Sequence, residues 1–291
     1  MPAGVTGRCR LALPDSKNTT WNWSMLPPKS SRRGLLSAAG LSALAMGLPR
    51  GALADGADSQ DFTFAVVNDV HYVDEKCGAW FAKVLEGMKE HRPDFCLLVG
   101  DLVEDGTAKQ IGAMKELLAA SKFPVHVVVG NHDHTPANDR RAYAEAFGEA
   151  TNYQFEHKGW QFIGLDTTQG HTGANTVIAR ETLDYLGGAL KTLDGKRPTV
   201  LFTHFPLGWL LPSRPKNAQA LLQHFVGHNL QAVFNGHFHS ATTRVWGPCE
   251  LTTNTCCSLR RKNHDLDPRK GYFVCRTKDG VVKRQYVRVD G

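Results

Sequence analysis

Five short apolar runs in this chain each end in residues able to bind a metal, and that coincidence limits the fold more than any bulk property does. Val66-Val67-Asn68 leads into Asp69-Val70-His71, Leu97-Leu98-Val99 into Gly100-Asp101, and Val127-Val128-Val129 into Gly130-Asn131-His132-Asp133. Further on, Leu201-Phe202-Thr203 leads to His204, and Val233-Phe234-Asn235 to Gly236-His237-Phe238-His239. Short runs of β-branched and apolar residues bounded by Gly and polar residues read as buried strands. In sheets covered by helices, functional groups collect at the carboxyl ends of such strands. One Asp-x-His would carry little weight, since a His near a strand end is more often structural. Five blocks in this order carry much more.

The set resembles the calcineurin-like metallophosphoesterase superfamily, whose signature is Asp-x-His, Gly-Asp, Gly-Asn-His-Asp or Gly-Asn-His-Glu, a lone His, then Gly-His-x-His. All five blocks are intact between Asp69 and His239. Carried over position by position, the resemblance implies that Asp69, His71 and His239 hold one metal and Asn131, His204 and His237 the other. Asp101 would bridge them, and His132 would be the catalytic histidine. It also implies an α/β fold of two mixed β-sheets packed face to face with flanking helices, a four-layer sandwich.

Elementary chemistry is compatible with that assignment. Residues two apart on an extended segment point to one side, so Asp69 with His71, and His237 with His239, can converge. Imidazole and carboxylate donors without thiolate suit two divalent or trivalent ions of Mn, Fe, Zn or Co. Two cations about 3.5–4 Å apart can clamp the attacking and leaving oxygens of a phosphoryl displacement and supply a hydroxide near neutral pH. Only two carboxylates, Asp69 and Asp101, offset them, so the pocket favours an anionic ester.

His132 follows a ligand directly and can face the substrate, where it would stabilise transition-state charge or protonate the leaving oxygen, a task worth roughly 100- to 10,000-fold in rate. In the related protein phosphatases an acid three positions after the bridging Asp orients this histidine, and Glu104 occupies that place. Purple acid phosphatases carry Tyr there, so no iron–tyrosinate chromophore is expected. Asp133, where the protein phosphatases have Glu, is closer to the phosphodiesterase branches. Beyond the last ligands, the basic stretch around Arg260 and Arg261 is a candidate for holding a phosphate, with His134 as a further candidate substrate contact. Trp209 and His171 lie in loops that can shape specificity.

Between the ligand blocks, helical periodicity appears over 79–91, 107–121, 138–147, 181–190 and 216–226. Two strands flank a Lys158-Gly159 turn. After Ser240 the runs 242–246, 272–277 and 281–287 alternate and read as antiparallel strands, with a turn at Asp279-Gly280. Neither a repeat nor a linker interrupts 55–291, which reads as one domain.

The net charge of +6 comes from the first 54 residues, which hold seven Lys or Arg against one acid, Asp15. Removing these from totals of 34 and 28 leaves 27 of each sign from Asp55 onward. A balanced body gives no reason to expect nucleic-acid binding. Residues 1–54 read as an N-terminal extension plus a twin-arginine signal: Ser30-Ser31-Arg32-Arg33-Gly34-Leu35-Leu36, an apolar stretch to Leu48, and an Ala52-Leu53-Ala54 cleavage site. That stretch is about 14 residues, short of the roughly 20 that span a bilayer, so no stable membrane anchor is expected. Translation from Met25 would give a signal of ordinary length. The expectation is export by the twin-arginine machinery to the periplasm or beyond. Cys249, Cys256, Cys257 and Cys275 could then form one disulfide or stay free thiols, and Cys96 reads as a buried hydrophobe.

These features imply a dinuclear-metal hydrolase of small phosphoesters, a phosphodiesterase or a broad phosphatase. Two alternatives belong to other classes. A non-catalytic scaffold of the same fold should lack ligands, and none is missing here. A nuclease would want a basic groove, which the balanced charge disfavours except for short oligonucleotides.

Overall fold

A computed structural model describes residues 60–290. The proposed signal with Arg32 and Arg33, its cleavage site, the Met25 start, the 54/55 boundary and Cys9 lie outside the described residues.

Strands β1 (Thr63–Val67), β2 (Phe95–Val99) and β3 (Val125–Val128) run parallel, and β10 (Lys270–Lys278) and β11 (Val281–Val289) join them in the order β11-β10-β1-β2-β3. The second sheet is ordered β4-β5-β6-β7-β9-β8, from β4 (Tyr153–His157), β5 (Trp160–Leu165), β6 (Thr199–Thr203), β7 (Leu230–Asn235), β8 (Thr242–Trp246) and β9 (Cys249–Thr253). Both sheets mix parallel and antiparallel pairs, as expected.

Alternation along each strand decides which layer a side chain enters. From β1 and β2, Phe64, Val66, Phe95, Leu97 and Val99 meet Trp160, Phe162, Val200, Phe202 and Phe234 of the second sheet in a core between the sheets. Their neighbours Ala65, Val67, Cys96 and Leu98 face the other way, onto α1 (Glu75–Glu90) and α2 (Ala108–Ala119). On the far side Ile163, Leu165, Leu201 and Val233 pack on α4 (Arg180–Thr192) and α5 (Ala218–Gln223). Strands buried on both faces explain the continuous apolar runs of the sequence.

Local chemistry moves several boundaries. Helix α1 starts before Ala79 because the Asp74 side chain caps it, accepting from the N–H groups of Lys76 and Cys77 at 3.1 and 3.2 Å. Helix α3 (Arg141–Phe147) starts late because Asn138 is left-handed, with φ 63°. The tail strands divide between sheets: β10 pairs antiparallel with β1, whereas β8 forms a hairpin with β9, a strand the alternation did not reveal. All six cysteines among the described residues are free and buried. No described helix is long and apolar enough to cross a membrane.

Candidate metal centre

Both sheets present the carboxyl ends of their parallel strands to one place. Asp69 and His71 follow β1, Asp101 follows β2, Asn131 and His132 lie in a single 3-10 turn after β3, His204 follows β6, and His237 and His239 follow β7. The ligand segments are not extended, contrary to the sequence expectation. Asp69, His71, Asp101, His237 and His239 all have left-handed backbones, with φ of 54°, 49°, 50°, 64° and 48°. Asp and His tolerate this region better than most side chains, yet such residues are uncommon and cluster at functional sites. The chain therefore converges by kinking at these five ligands rather than by pleating.

Two close approaches require glycine. A Cβ on Gly130 would sit 2.0 Å from the Asp101 backbone nitrogen, and one on Gly100, itself at φ 77°, 2.3 Å from His204 Nδ1. Backbone donors then fix the carboxylates. Asp101 Oδ1 accepts from His132 N–H at 2.8 Å, and both oxygens of Asp69 accept from His237 N–H at 3.0 Å.

Two clusters of donor atoms result. Asp69, His71, Asp101 and His239 form one; Asp101, His204 and His237 form the other, and within each the donor atoms lie within 4.8 Å of one another. Asp101 belongs to both, with Oδ2 3.4 Å from His71 Nε2 and Oδ1 3.3 Å from His204 Nε2. Asn131 Oδ1 completes the second, 3.2 Å from His204 Nε2 and 3.0 Å from His237 Nδ1. Imidazole nitrogens face each other in both: His71 and His239 Nε2 at 3.2 Å, His204 Nε2 and His237 Nδ1 at 3.3 Å. Convergent lone pairs of this kind fit a cation between them.

Two of the outward nitrogens are held as metal ligands require. His204 Nδ1 pairs with the Val99 carbonyl at 3.1 Å and His237 Nε2 with the Gly173 carbonyl at 2.8 Å. His71 Nδ1 lies 3.1 Å from Glu104 Oε2. A third grouping of His71, Glu104 and His132 lies beside the centre as an electrostatic support, because His71 turns its other nitrogen to the centre.

The electrostatics agree. Burial pushes the Asp69 and Asp101 carboxyls up, but neighbouring imidazoles outweigh it and hold both below the usual carboxylate range. Burial lowers His204 and His239, yet these carboxylates draw the imidazoles up to about 9 and about 10. Protons are drawn to the lone pairs where cations would sit, and cation binding would release them. Burial and His204 push His237 down to about 4. Asp133, fully buried beside Asp101, is pushed up to about 8; its oxygens accept from Val103 and Gly130 N–H at 3.1 and 2.7 Å.

The remaining candidates divide. His132 is half-buried at the edge of the clusters, 4.9 Å ring to ring from both His71 and His171. Its Nδ1 is oriented by the backbone carbonyl of Glu104 at 2.8 Å, while the Glu104 carboxylate stands 3.9 Å away and serves His71 and Arg261 instead. This corrects the expectation that the carboxylate itself orients His132: Arg261 and His71 compete for it more closely. Burial raises the Glu104 carboxyl, but these two partners bring it down to about 2. Arg261 joins the site. Arg260 and His134 belong to neither cluster: Arg260 pairs with Asp74 at the start of α1, and His134 is buried with Nε2 3.2 Å from Thr168 Oγ1. Trp209 is exposed, with Arg244 5.8 Å over its ring.

Three contributors escaped the sequence reading. Asn68 Nδ2 donates to Asp69 Oδ2 at 2.5 Å, and its adjacency to the Asp-x-His block was the available signal. Cys256 lies against His239, and Lys270 Nζ is 2.8 Å from its Sγ; burial raises this thiol, but His239 and Lys270 lower it overall. The Gly173 carbonyl carried no signal at all.

A profile of calcineurin-like phosphoesterases matches residues 62–241. The chain belongs to that family. A probable cyclic nucleotide phosphodiesterase of Synechococcus is 24% identical over 225 residues, 72% of this chain and 84% of that protein. A 3',5'-cyclic adenosine monophosphate phosphodiesterase of Pseudomonas aeruginosa is 25% identical, over 72% of this chain and 80% of its own length. In fold, a dimetal phosphatase from Danio rerio is similar with a TM-score of 0.59 and 15% identity, over 78% of this chain and 96% of that one. This calcineurin-like phosphoesterase is accordingly a metal-dependent phosphoester hydrolase whose buried Asp/His cluster suits two ions.

Proposed function

We propose that this phosphoesterase cleaves small phosphodiesters, in preference to acting as a broad phosphatase. Asp69, His71 and His239 would hold one ion, Asn131, His204 and His237 the other, and Asp101 would bridge them. The observation that carries the reading is the Asp101 carboxylate, one oxygen turned to each histidine cluster. When bound, the two ions would supply Lewis acidity and an activated water at the phosphorus. His132 stands outside both donor sets and is left to face the substrate, with Nδ1 fixed on the Glu104 carbonyl. It would stabilise charge on the phosphoryl oxygens or give a proton to the leaving oxygen. The diester preference is supported by Asp133 at the end of the Gly-Asn-His-Asp block and by relatives named as cyclic nucleotide phosphodiesterases. Metal-depleted protein refilled with Mn, Fe, Zn or Co and given a monoester and a diester reporter tests it. Hydrolysis of the diester faster than the monoester is expected; the reverse order, or activity without metal, contradicts the proposal.

Export by the twin-arginine route to the periplasm or beyond is the second part of the proposal, supported by Arg32-Arg33 ahead of a short apolar stretch and a small-residue cleavage site. Lysines at both positions should keep the chain in the cytoplasm at precursor mass; unchanged export would refute the route.

A further inference from the structure

Arg261 reaches the centre from a loop beyond the 62–241 span matched by the family profile. Its position is built by buried polar side chains. Asn263 accepts from Cys256 N–H at 2.8 Å and donates to the carbonyls of Asp267 and Arg269 at 2.6 and 2.8 Å. Ser258 Oγ accepts from the N–H groups of Arg260 and Arg261 at 3.2 and 3.0 Å, and Lys270 Nζ donates to the Arg261 carbonyl at 2.5 Å. The loop is pinned to the ligand segments by His264 N–H on the His239 carbonyl, 3.2 Å, and Cys257 N–H on the Asn68 carbonyl, 3.0 Å. The Arg261 backbone is therefore fixed before its side chain meets anything.

The guanidinium is equally determined. Nε donates to Glu104 Oε2 at 3.0 Å and Nη2 to Glu104 Oε1, while Nη2 also lies 3.3 Å from His132 Nε2. A guanidinium only donates, so this contact is a hydrogen bond while His132 Nε2 is unprotonated; when Nε2 carries the proton it gives to the substrate, the two groups only adjoin. These contacts use Nε and Nη2. Nη1 has no hydrogen-bond partner among the described residues, and the side chain is 35% exposed. A planar fork held by a carboxylate along one edge presents its remaining donors in a fixed direction, an arrangement suited to phosphoryl oxygens.

Resting on the phosphoesterase reading above, we infer that Arg261 binds substrate directly, its Nη1 edge donating to a non-bridging phosphate oxygen of the ester held beside His132. The rival role is a brace that merely steadies Glu104 and, through it, His71. Three variants in the full, metal-loaded protein separate the two: Arg261→Ala, Arg261→Lys and Glu104→Gln. The readouts are kcat and KM on bis(p-nitrophenyl) phosphate, calorimetric affinity for inorganic phosphate, and metal content by elemental analysis. Loss of one charge-assisted hydrogen bond predicts a roughly 10- to 100-fold rise in KM and an equal loss of phosphate affinity in Arg261→Ala. Both metals should stay, and Arg261→Lys should recover part of the affinity. Unchanged phosphate affinity, or metal loss matching that of Glu104→Gln, overturns the inference. A wild-type protein that is loaded yet hydrolyses no phosphoester would overturn the parent reading as well.

Discussion

The aromatic core between the sheets and the metal centre lie on the same strands, a few residues apart, and follow opposite rules. In the core, Phe64 stacks on Phe95 at 5.4 Å, and Phe162 meets both edge-on at 5.6 and 5.1 Å. Strand propensity, alternation and burial all favour those residues there. Past Val67, Val99 and Asn235 the agreement stops. Five ligands take left-handed backbones, each at about 1–3 kcal/mol, and two carboxylates are buried with imidazoles as their partners. The difference shows where the fold's stability resides and where it is held in reserve for chemistry. Core substitutions should cost stability and spare the site, and ligand substitutions should do the reverse.

The sharpest way to break that division is Asp101→Ala. Both ions should leave together, and turnover should fall by about three orders of magnitude or more, the several kcal/mol that metal stabilisation supplies. The apo variant should still unfold cooperatively, at a somewhat lower denaturant concentration than the wild-type apo protein because His204 and the His132 N–H lose a buried partner. A full pair of ions by elemental analysis would contradict the bridge; collapse of the apo fold would contradict the division. His132→Ala comes next, lowering kcat roughly 100- to 10,000-fold while both ions remain. Loss of metal in that variant would place His132 among the ligands and not beside the substrate.

How far the sequence made these regions legible follows from the same contrast. Phe64, Phe95 and Phe162 sit in continuous apolar runs, so their strands could be read from the chain alone, but not which face meets the other sheet, because both faces are buried. Asp69, His71 and Asp101 were legible as residue types at strand ends, but their left-handed kinks were not. Those kinks arise from contacts across the molecule, such as Asp69 N–H on the Gly100 carbonyl at 3.1 Å and His71 N–H on the Asp101 carbonyl at 3.0 Å. The destination of the Glu104 carboxylate depends on Arg261, 157 positions away in sequence. Strand β9 was hidden because its partner β7 is parallel and non-adjacent, leaving no hairpin pattern on that side.

Phe162→Ala sharpens the core side of the comparison. Fully buried between the sheets, its loss should destabilise by about 3–5 kcal/mol in denaturant unfolding. At a temperature where the variant stays folded, kcat per folded, metal-loaded molecule should match wild type. A large drop in kcat would mean that the core also sets ligand geometry.

The smallest effect lies at His126 on β3, whose ring stacks on Phe155 at 3.8 Å with 11° between planes. Burial, reinforced by His157, pushes this imidazole down from 6.5 to about 4. Between those values the unfolded chain binds the extra proton and the folded one does not, so stability is present above pH 6.5 and is lost as pH falls toward 4. His126→Phe keeps the stack and removes the proton site. With a discount for the part of the ring that water screens, the variant should gain about 1 kcal/mol over wild type at pH 5 relative to the difference at pH 7.5. The metal centre lies at the opposite ends of these strands, so metal content should not change with the substitution. A pH-independent difference between the two proteins would show that His126 stays solvated and that this stretch of the core edge is open to water.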